Sequence, residues 1–278
     1  MTGWLIIRGR LVMVLLVSFI HSLLRIAATI SIFHYHVSGL YGFYEGEILA
    51  FAFPAFMYLS GFYSCHEPEK AVGWMLKRIK RIYLPYWIVC LAVIVSNSIL
   101  NYKEMTLSTV AVLIAGGNFF LQSPLYVEVW FVTVIVMFYV SVFILLLVNN
   151  LYLRIVLGVM LVVCLALFKV SGEFIYWFCI GYGARWLMDV MASDNRFITR
   201  QVVMINVNQY AFKVQGYSYE FFLLHGSVLL FFVQIARFDF TNTFFAAFVV
   251  TAILSVFLQM LVQKMENVSK ALALPAPG

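Results

Sequence analysis

The sequence has few charged side chains. Asp, Glu, Lys and Arg make up 11% of the 278 residues, whereas 64% of the residues are hydrophobic, and the mean hydropathy is +0.98. A water-soluble domain carries roughly 25% charged residues, so this composition excludes one. Apolar runs long enough to cross a bilayer predict an all-α, polytopic integral membrane protein instead.

Acidic residues and cysteines are also scarce. The chain has 12 acidic and 18 basic residues, which gives a net charge of +6. In a membrane protein an excess of Lys and Arg marks cytoplasmic loops, so we do not expect a nucleic-acid partner. The four cysteines lie in apolar stretches without the paired spacing of a metal site or a disulfide framework, and neither is predicted; they are Cys65, Cys90, Cys164 and Cys179.

The apolar segments predict a helical bundle with about eight membrane spans. The first extends to about residue 33, and the others cover residues 48–64, 83–100, 130–148, 155–170, 174–188, 217–235 and 244–262. Residues 106–121 are apolar but short. If they are re-entrant or interfacial, most Lys and Arg residues lie on one side, whereas a ninth crossing divides them almost evenly. The charge bias therefore favours eight spans, both termini in the cytoplasm and a single domain over residues 1–278.

A basic stretch separates the second and third spans. It contains Lys70, Lys77, Arg78, Lys80 and Arg81 and is the strongest cytoplasmic marker in the chain. Its periodic part, residues 74–82, predicts an amphipathic helix that lies along the inner membrane surface. The following proline, at position 85, is then expected in the first turn of the third span, where proline is tolerated.

Two ionisable residues share one face of the first apolar segment. Arg25 and His36 are eleven residues apart, which places them within about 20° of each other on a helix and about 16 Å apart along its axis. Ionisable groups inside a membrane are costly and usually functional. The plainer interpretation is that Arg25 extends to water from a helix end and that His36 lies in the interface. His34 falls on another face, where a packing or interfacial role is favoured.

Five motifs in chain order resemble those of the acyltransferase family 3 membrane proteins. They are LLRIAATISIFHYH (residues 23–36), FPAFMYLSGFY (53–63), KRIKRIYLPYW (77–87), VWFVTVIVMFY (129–139) and GYSYEFFLLH (216–225). Family members are commonly longer, with about ten spans. Residues 189–213 replace a hydrophobic segment that most members carry, which leaves nine or ten spans open.

The resemblance implies O-acylation, usually O-acetylation, of an extracytoplasmic or lipid-linked carbohydrate. Cytosolic acetyl-CoA would be the donor, no cofactor would be bound permanently, and the protein would lie in the bacterial cytoplasmic (inner) membrane. Proteins of surface polysaccharide synthesis are candidate partners, besides membrane lipid. An intramembrane pocket open to both aqueous sides would let a donor from one side meet an acceptor from the other.

The resemblance also assigns the donor side of this reaction. Arg25 would orient the phosphates or thioester of the donor, since a guanidinium is always charged and binds oxyanions as a fork. Arg78 and Arg81 are candidates for the CoA phosphates, although cytoplasmic loops are basic in any case. Arg25 or the Ser60 hydroxyl is a candidate donor to the developing oxyanion; the small Ser-Gly pair could equally serve only to let helices approach.

His36 and four other residues are expected on the acceptor side. His36 has a pKa suited to accept a hydroxyl proton, and it could instead take the acyl group as a nucleophile. The substrate-binding candidates are Trp130, Glu128, Tyr219 and His225. Trp130 could instead anchor the outer interface, and Glu128 could be a solvated loop acid.

Two hypotheses from other classes stay open. A transporter or flippase for a lipid-linked or small anionic substrate would use Arg25 and His36 for binding or proton relay. Such folds often consist of two similar halves, and none are visible in this sequence. An inactive relative that acts as a membrane sensor or scaffold is the third hypothesis.

Overall fold

The computed structural model describes residues 2–43, 46–101, 103–121, 130–193 and 217–272. Within these ranges the regular structure is helical and contains no strand, which confirms the all-α prediction. The α-helices are α1 (Thr2–Leu40), α2 (Gly46–Phe62), α3 (Ala71–Leu100), α4 (Leu107–Ala115), α5 (Asn118–Leu121), α6 (Trp130–Leu146), α7 (Leu151–Leu167), α8 (Gly172–Ser193), α9 (Tyr217–Leu230) and α10 (Phe240–Leu272). A 3₁₀ turn, Pro68–Lys70, precedes α3, and a π-helical turn, Phe231–Ile235, follows α9.

Four segments among the described residues are long and apolar enough to cross a membrane. They are Leu16–Leu40, Pro68–Ile99, Tyr217–Ile235 and Phe240–Val268. Shorter apolar helices are Phe51–Phe62, Trp130–Leu146 and Leu151–Leu167. The chain is therefore a polytopic membrane protein, as predicted, and the number of eight crossings stays a prediction.

The basic stretch and the third span form one continuous helix, α3. The prediction of a separate surface helix over residues 74–82 is therefore wrong. Pro85 lies in the interior of α3, not in its first turn. A proline in a membrane helix is tolerated where neighbouring groups satisfy the backbone carbonyl that it leaves without an amide partner, and the sequence alone does not show those neighbours.

Residues 106–121, the short apolar segment, contain two short helices. The nine residues of α4 rise about 14 Å, less than half the thickness of a hydrocarbon core of about 30 Å. Thr106 caps the N-terminus of α4, and Gly116, at φ 73°, ends it in the left-handed conformation that favours glycine. The Tyr86 hydroxyl donates to the carbonyl of Leu113, and that of Thr133 donates to the carbonyl of Gly116. No single helix spans this segment, in agreement with the re-entrant or interfacial prediction.

The chain divides into two compact units. The first comprises Met1–Lys77 and Val134–Gln215. In its described part, α2 packs against both α1 and α8. At the α2–α8 crossing, a Cβ on Gly61 would lie 2.9 Å from the backbone nitrogen of Tyr182, and one on Gly181 would lie 3.0 Å from that of Phe62. The two backbones therefore touch without side chains between them, as small residues allow in membrane helices.

The second unit comprises Arg78–Thr133 and Gly216–Gly278. Its described part is built on the pair α9 and α10, where the rings of Phe221 and Phe248 lie 5.3 Å apart. Lys80 of α3 forms an ion pair with Glu266 of α10 at 3.7 Å. These contacts connect α10 to α9 and to the basic part of α3.

Candidate active site

Arg25 and His36 lie on the face that α1 turns toward its own unit. Both are half-buried and belong to one helix, as predicted. The buried residues on or beside this face recur at helical spacing, and they are Ser18, His21, Ala28, Ile32 and Phe33. Arg25 lies in the interior of α1, which begins at Thr2 and ends at Leu40.

Two apolar side chains separate the two ionisable groups. Ala28 and Ile32, which follow Arg25 by one and two turns, are 0% and 2% exposed. Together with the rise of about 16 Å, this excludes a direct contact between the guanidinium and the imidazole. The two groups can therefore act on one substrate only at well separated points of a long molecule.

Aromatic side chains lie beside Arg25 on this face of α1. The Arg25 guanidinium carbon lies 5.8 Å from the centre of the Tyr63 ring. His21, one turn earlier on α1, is 5% exposed. Its Nδ1 lies 3.2 Å from the Tyr63 hydroxyl, and its Nε2 lies 3.4 Å from the Tyr58 hydroxyl. The sequence prediction missed His21, although its spacing of four residues from Arg25 places both on the same face.

The Ser-Gly pair of the second motif has a visible packing role. Gly61 is the residue through which α2 touches α8, so the interpretation as a helix-contact motif holds for this glycine. Ser60 is half-buried beside it, and its carbonyl accepts a hydrogen bond from the Ser64 hydroxyl at 2.8 Å. An oxyanion role for the Ser60 hydroxyl stays a prediction.

The two histidines near the end of α1 differ in their surroundings. His36 is half-buried, and its ring meets the Tyr35 ring edge-on at 5.6 Å. The Nδ1 of His34 lies 3.5 Å from the Ser38 hydroxyl, one turn later on the same helix. The structure thus assigns His34 a hydrogen bond within its own helix.

The other predicted site residues that the structure describes belong to the second unit. In α3, Arg78 is half-buried and Arg81 is exposed. Arg81 lies near enough to Glu220 of α9 for an electrostatic interaction. Trp130 is half-buried at the start of α6, with its ring 6.3 Å from that of Phe119. Glu128 lies outside the described residues.

The late motif forms α9. The Tyr219 hydroxyl donates to the carbonyl of Ile82 at 3.0 Å and so joins α9 to α3. His225 is 1% exposed, and its Nδ1 lies 2.5 Å from the Phe222 carbonyl. Donation from Nδ1 makes Nε2 the unprotonated nitrogen of the neutral ring, which is the atom able to accept a proton. Tyr219 therefore has a structural contact, and substrate roles for both residues stay predictions.

A family comparison decides the class of this protein. A family model described as an acyltransferase domain matches residues 10–190, which is more than half of the chain. The chain belongs to acyltransferase family 3. Comparison with curated proteins gives no match, and neither does comparison with solved structures.

The acyltransferase match covers the first four of the five motifs. Arg25, His36, Ser60 and the pair Arg78 and Arg81 lie inside residues 10–190, whereas the late motif with Tyr219 and His225 lies beyond them. The match establishes a membrane acyltransferase. Within the described residues no group of His, Cys, Asp or Glu side chains is arranged to hold a metal ion.

Proposed function

We propose that this acyltransferase moves an acetyl group from acetyl-CoA to a hydroxyl of an extracytoplasmic or lipid-linked carbohydrate. The observation that carries the proposal is the position of Arg25 and His36. Both lie inside the family match and on the inward face of α1. Ionisable groups at such positions in a membrane protein are expensive to keep, which supports a chemical role for both.

Arg25 is proposed to hold the donor. A guanidinium keeps its charge at any physiological pH and binds phosphate or thioester oxygen atoms through parallel N–H donors. Its place above the Tyr63 ring limits the directions in which these donors point. Arg78 and Arg81, in the N-terminal half of α3, are proposed to bind the phosphates of CoA.

His36 is proposed as the general base. Its imidazole accepts the proton of the sugar hydroxyl while the hydroxyl oxygen attacks the thioester carbonyl carbon. The carbon–sulfur bond then breaks, and the CoA thiolate leaves and takes up the proton that His36 accepted, which restores the neutral imidazole. The Ser60 hydroxyl is proposed to stabilise the oxyanion between these steps, because Arg25 lies too far along α1 from His36 to contact the same carbonyl group. In a second route to the same product His36 carries the acetyl group itself, and acetylated His36 trapped with donor alone would identify that route.

The acceptor is proposed to bind among aromatic and polar groups. Trp130, Tyr219 and His225 are the described candidates, together with Glu128. An aromatic ring offers a sugar an apolar face, and a polar group beside it fixes the orientation of the hydroxyls. We place the protein in a bacterial inner membrane with both termini in the cytoplasm, where acetyl-CoA is available, and next to proteins of surface polysaccharide synthesis.

The test is transfer of labelled acetyl groups from acetyl-CoA to glycan in membranes that hold the protein. His36→Ala should lower transfer by about 10²- to 10⁴-fold, the usual contribution of a general base. His34→Ala is the matched control, because His34 lies on the same helix two residues earlier and bonds within that helix. It should retain transfer within a few-fold, and both variants should reach wild-type amounts in the membrane.

Three outcomes would overturn the proposal. Transfer by His36→Ala at the wild-type rate would remove His36 from the chemistry. Equal losses in both histidine variants would indicate damage to α1 instead of loss of a base. Wild-type membranes that move substrate and leave it unmodified would favour a transporter.

Mass spectrometry of the surface glycans from cells with and without the chain would give the acyl mass and the acceptor together.

A further inference from the structure

His21 is a buried histidine to which neither the family resemblance nor the proposed mechanism assigns a role. Its ring is enclosed by three aromatic rings, two from α2 and one from the residue that follows α2, all nearly perpendicular to it. The ring centres lie 5.5 Å away for Tyr58, 4.5 Å for Phe62 and 5.7 Å for Tyr63. An apolar side chain would fill such a space without the cost of burying two nitrogens. The histidine therefore contributes something besides volume.

The two nitrogens of His21 contact two hydroxyls. Nδ1 lies 3.2 Å from the Tyr63 hydroxyl and Nε2 lies 3.4 Å from the Tyr58 hydroxyl. A ring with one N–H donates to one of these oxygens and accepts from the other, so His21 links both tyrosines in one chain of hydrogen bonds. This link holds the rings of Tyr58 and Tyr63 in place relative to α1.

Tyr63 contacts Arg25, so a change in the position of its ring also affects the Arg25 guanidinium. The guanidinium lies 5.8 Å from the centre of the Tyr63 ring, within the range of a cation–π contact. Arg25 and His21 are one turn apart on α1, so one residue fixes the ring and the other rests above it. The backbone around Tyr58 and Phe62 also packs against Gly181 of α8. The aromatic surface under Arg25 is therefore fixed from two helices.

We propose that His21 is a positioning residue for the acyl donor, acting through Tyr63 on Arg25. This inference rests on the proposed function, in which Arg25 binds the donor. Loss of the link would leave the charge of Arg25 intact and loosen its direction. A charge-assisted hydrogen bond to a phosphate or carbonyl oxygen needs the right direction as well as the charge. The affected quantity is therefore the affinity for the donor.

Titration of the purified, detergent-solubilised protein with CoA tests this without knowledge of the acceptor. His21→Ala should weaken CoA binding about tenfold, the change that corresponds to one charge-assisted hydrogen bond. His21→Gln, which keeps a donor and an acceptor, should recover most of the affinity. Tyr63→Phe keeps the ring and removes the hydroxyl, and it should show a loss in the same direction. His34→Ala should bind CoA as the wild type does.

A double-mutant cycle separates positioning from simple packing. In an Arg25→Lys background, His21→Ala should cause no further loss of CoA affinity. The guanidinium whose direction His21 fixes is already absent from that variant. A second tenfold loss in that background would overturn the inference, and so would unchanged CoA binding by His21→Ala. If His21→Ala does not fold, His21→Gln and Tyr63→Phe carry the same comparison. Wild-type protein that binds no CoA would overturn the donor assignment itself, and with it the inference.

Discussion

The backbone contact between α2 and α8 makes a sharp prediction about two glycines two residues apart. A Cβ on Gly181 would lie 2.8 Å from the carbonyl carbon of Tyr58 and 3.0 Å from the backbone nitrogen of Phe62, and it would clash with the Tyr58 carbonyl oxygen. Gly183, on the same helix, has no atom within 4 Å of such a Cβ. Gly181→Ala and Gly183→Ala are thus the same chemical change in opposite surroundings.

The change in the free energy of unfolding of each alanine variant is the sum of two contributions. Alanine in place of glycine stabilises a helix interior by about 1 kcal/mol, and both variants gain this. Overpacking costs about 1–3 kcal/mol. The upper end applies to Gly181, because the opposing atoms belong to the backbone and no side-chain rotation relieves the clash. We therefore expect Gly181→Ala to be less stable than the wild type by about 2 kcal/mol and Gly183→Ala to be slightly more stable.

The wild type and both variants can be heated in detergent, and the fraction that stays monodisperse is measured at each temperature. This gives the midpoint of thermal unfolding for each protein. A destabilisation of about 2 kcal/mol lowers the midpoint by roughly 4–8 °C in a chain of this size range. Gly181→Ala should also transfer acyl groups more slowly, since the displaced α2 carries Tyr58 and is followed directly by Tyr63. Equal midpoints for the two alanine variants would refute the close contact between the helices.

Two further perturbations test the packing elsewhere. Tyr86→Phe removes the buried hydroxyl that donates to the Leu113 carbonyl and should cost about 1–2 kcal/mol in thermal unfolding; Tyr83→Phe, at the exposed neighbouring contact, should cost less, and the reverse order would contradict the assignment. Burial lowers the pKa of His66, whose ring stacks on Tyr182 at 4.1 Å, below its ordinary value of 6.5. Because the fold favours the neutral ring, the contribution to stability should be full above about pH 6.5 and fall as the pH drops from there to the lowered pKa. His66→Phe keeps the stack and should lose less stability on acidification; an unchanged slope would show that other groups cause it.

The helices that need only an apolar run could be predicted from the sequence. The segment predicted at residues 130–148 is α6 (Trp130–Leu146), and that at 155–170 largely overlaps α7 (Leu151–Leu167). Length and hydropathy are local properties, so no knowledge of neighbours was needed. The error in α3 has the opposite origin. Pro85 indicates a helix start by local rules, whereas the surroundings of a folded membrane helix allow it in the interior.

The placement of Arg25 and His36 on one helix was predictable from the sequence, and the contacts around them were not. The spacing of Arg25 and His36 places both on one helix face, and the structure has them there. The partner of Gly61 is Phe178 and its neighbours, more than a hundred residues away, and no local pattern selects that helix. Tyr219 likewise bonds the carbonyl of Ile82, which is 137 residues distant. His21 had a local signal, the step of four to Arg25, but only the tyrosines around it show why that step matters.

The continuity of α3 has a consequence for its bases. With no loop between the basic turns and the apolar turns, each residue is locked to the next by a rise of about 1.5 Å and a turn of about 100°. Arg81 therefore stands about 6 Å before Pro85 along the axis, and inserting a single residue between them would swing the guanidinium to another side of the helix. The helix itself, and not a flexible tether, therefore sets the distance of these positive charges from the apolar turns of α3.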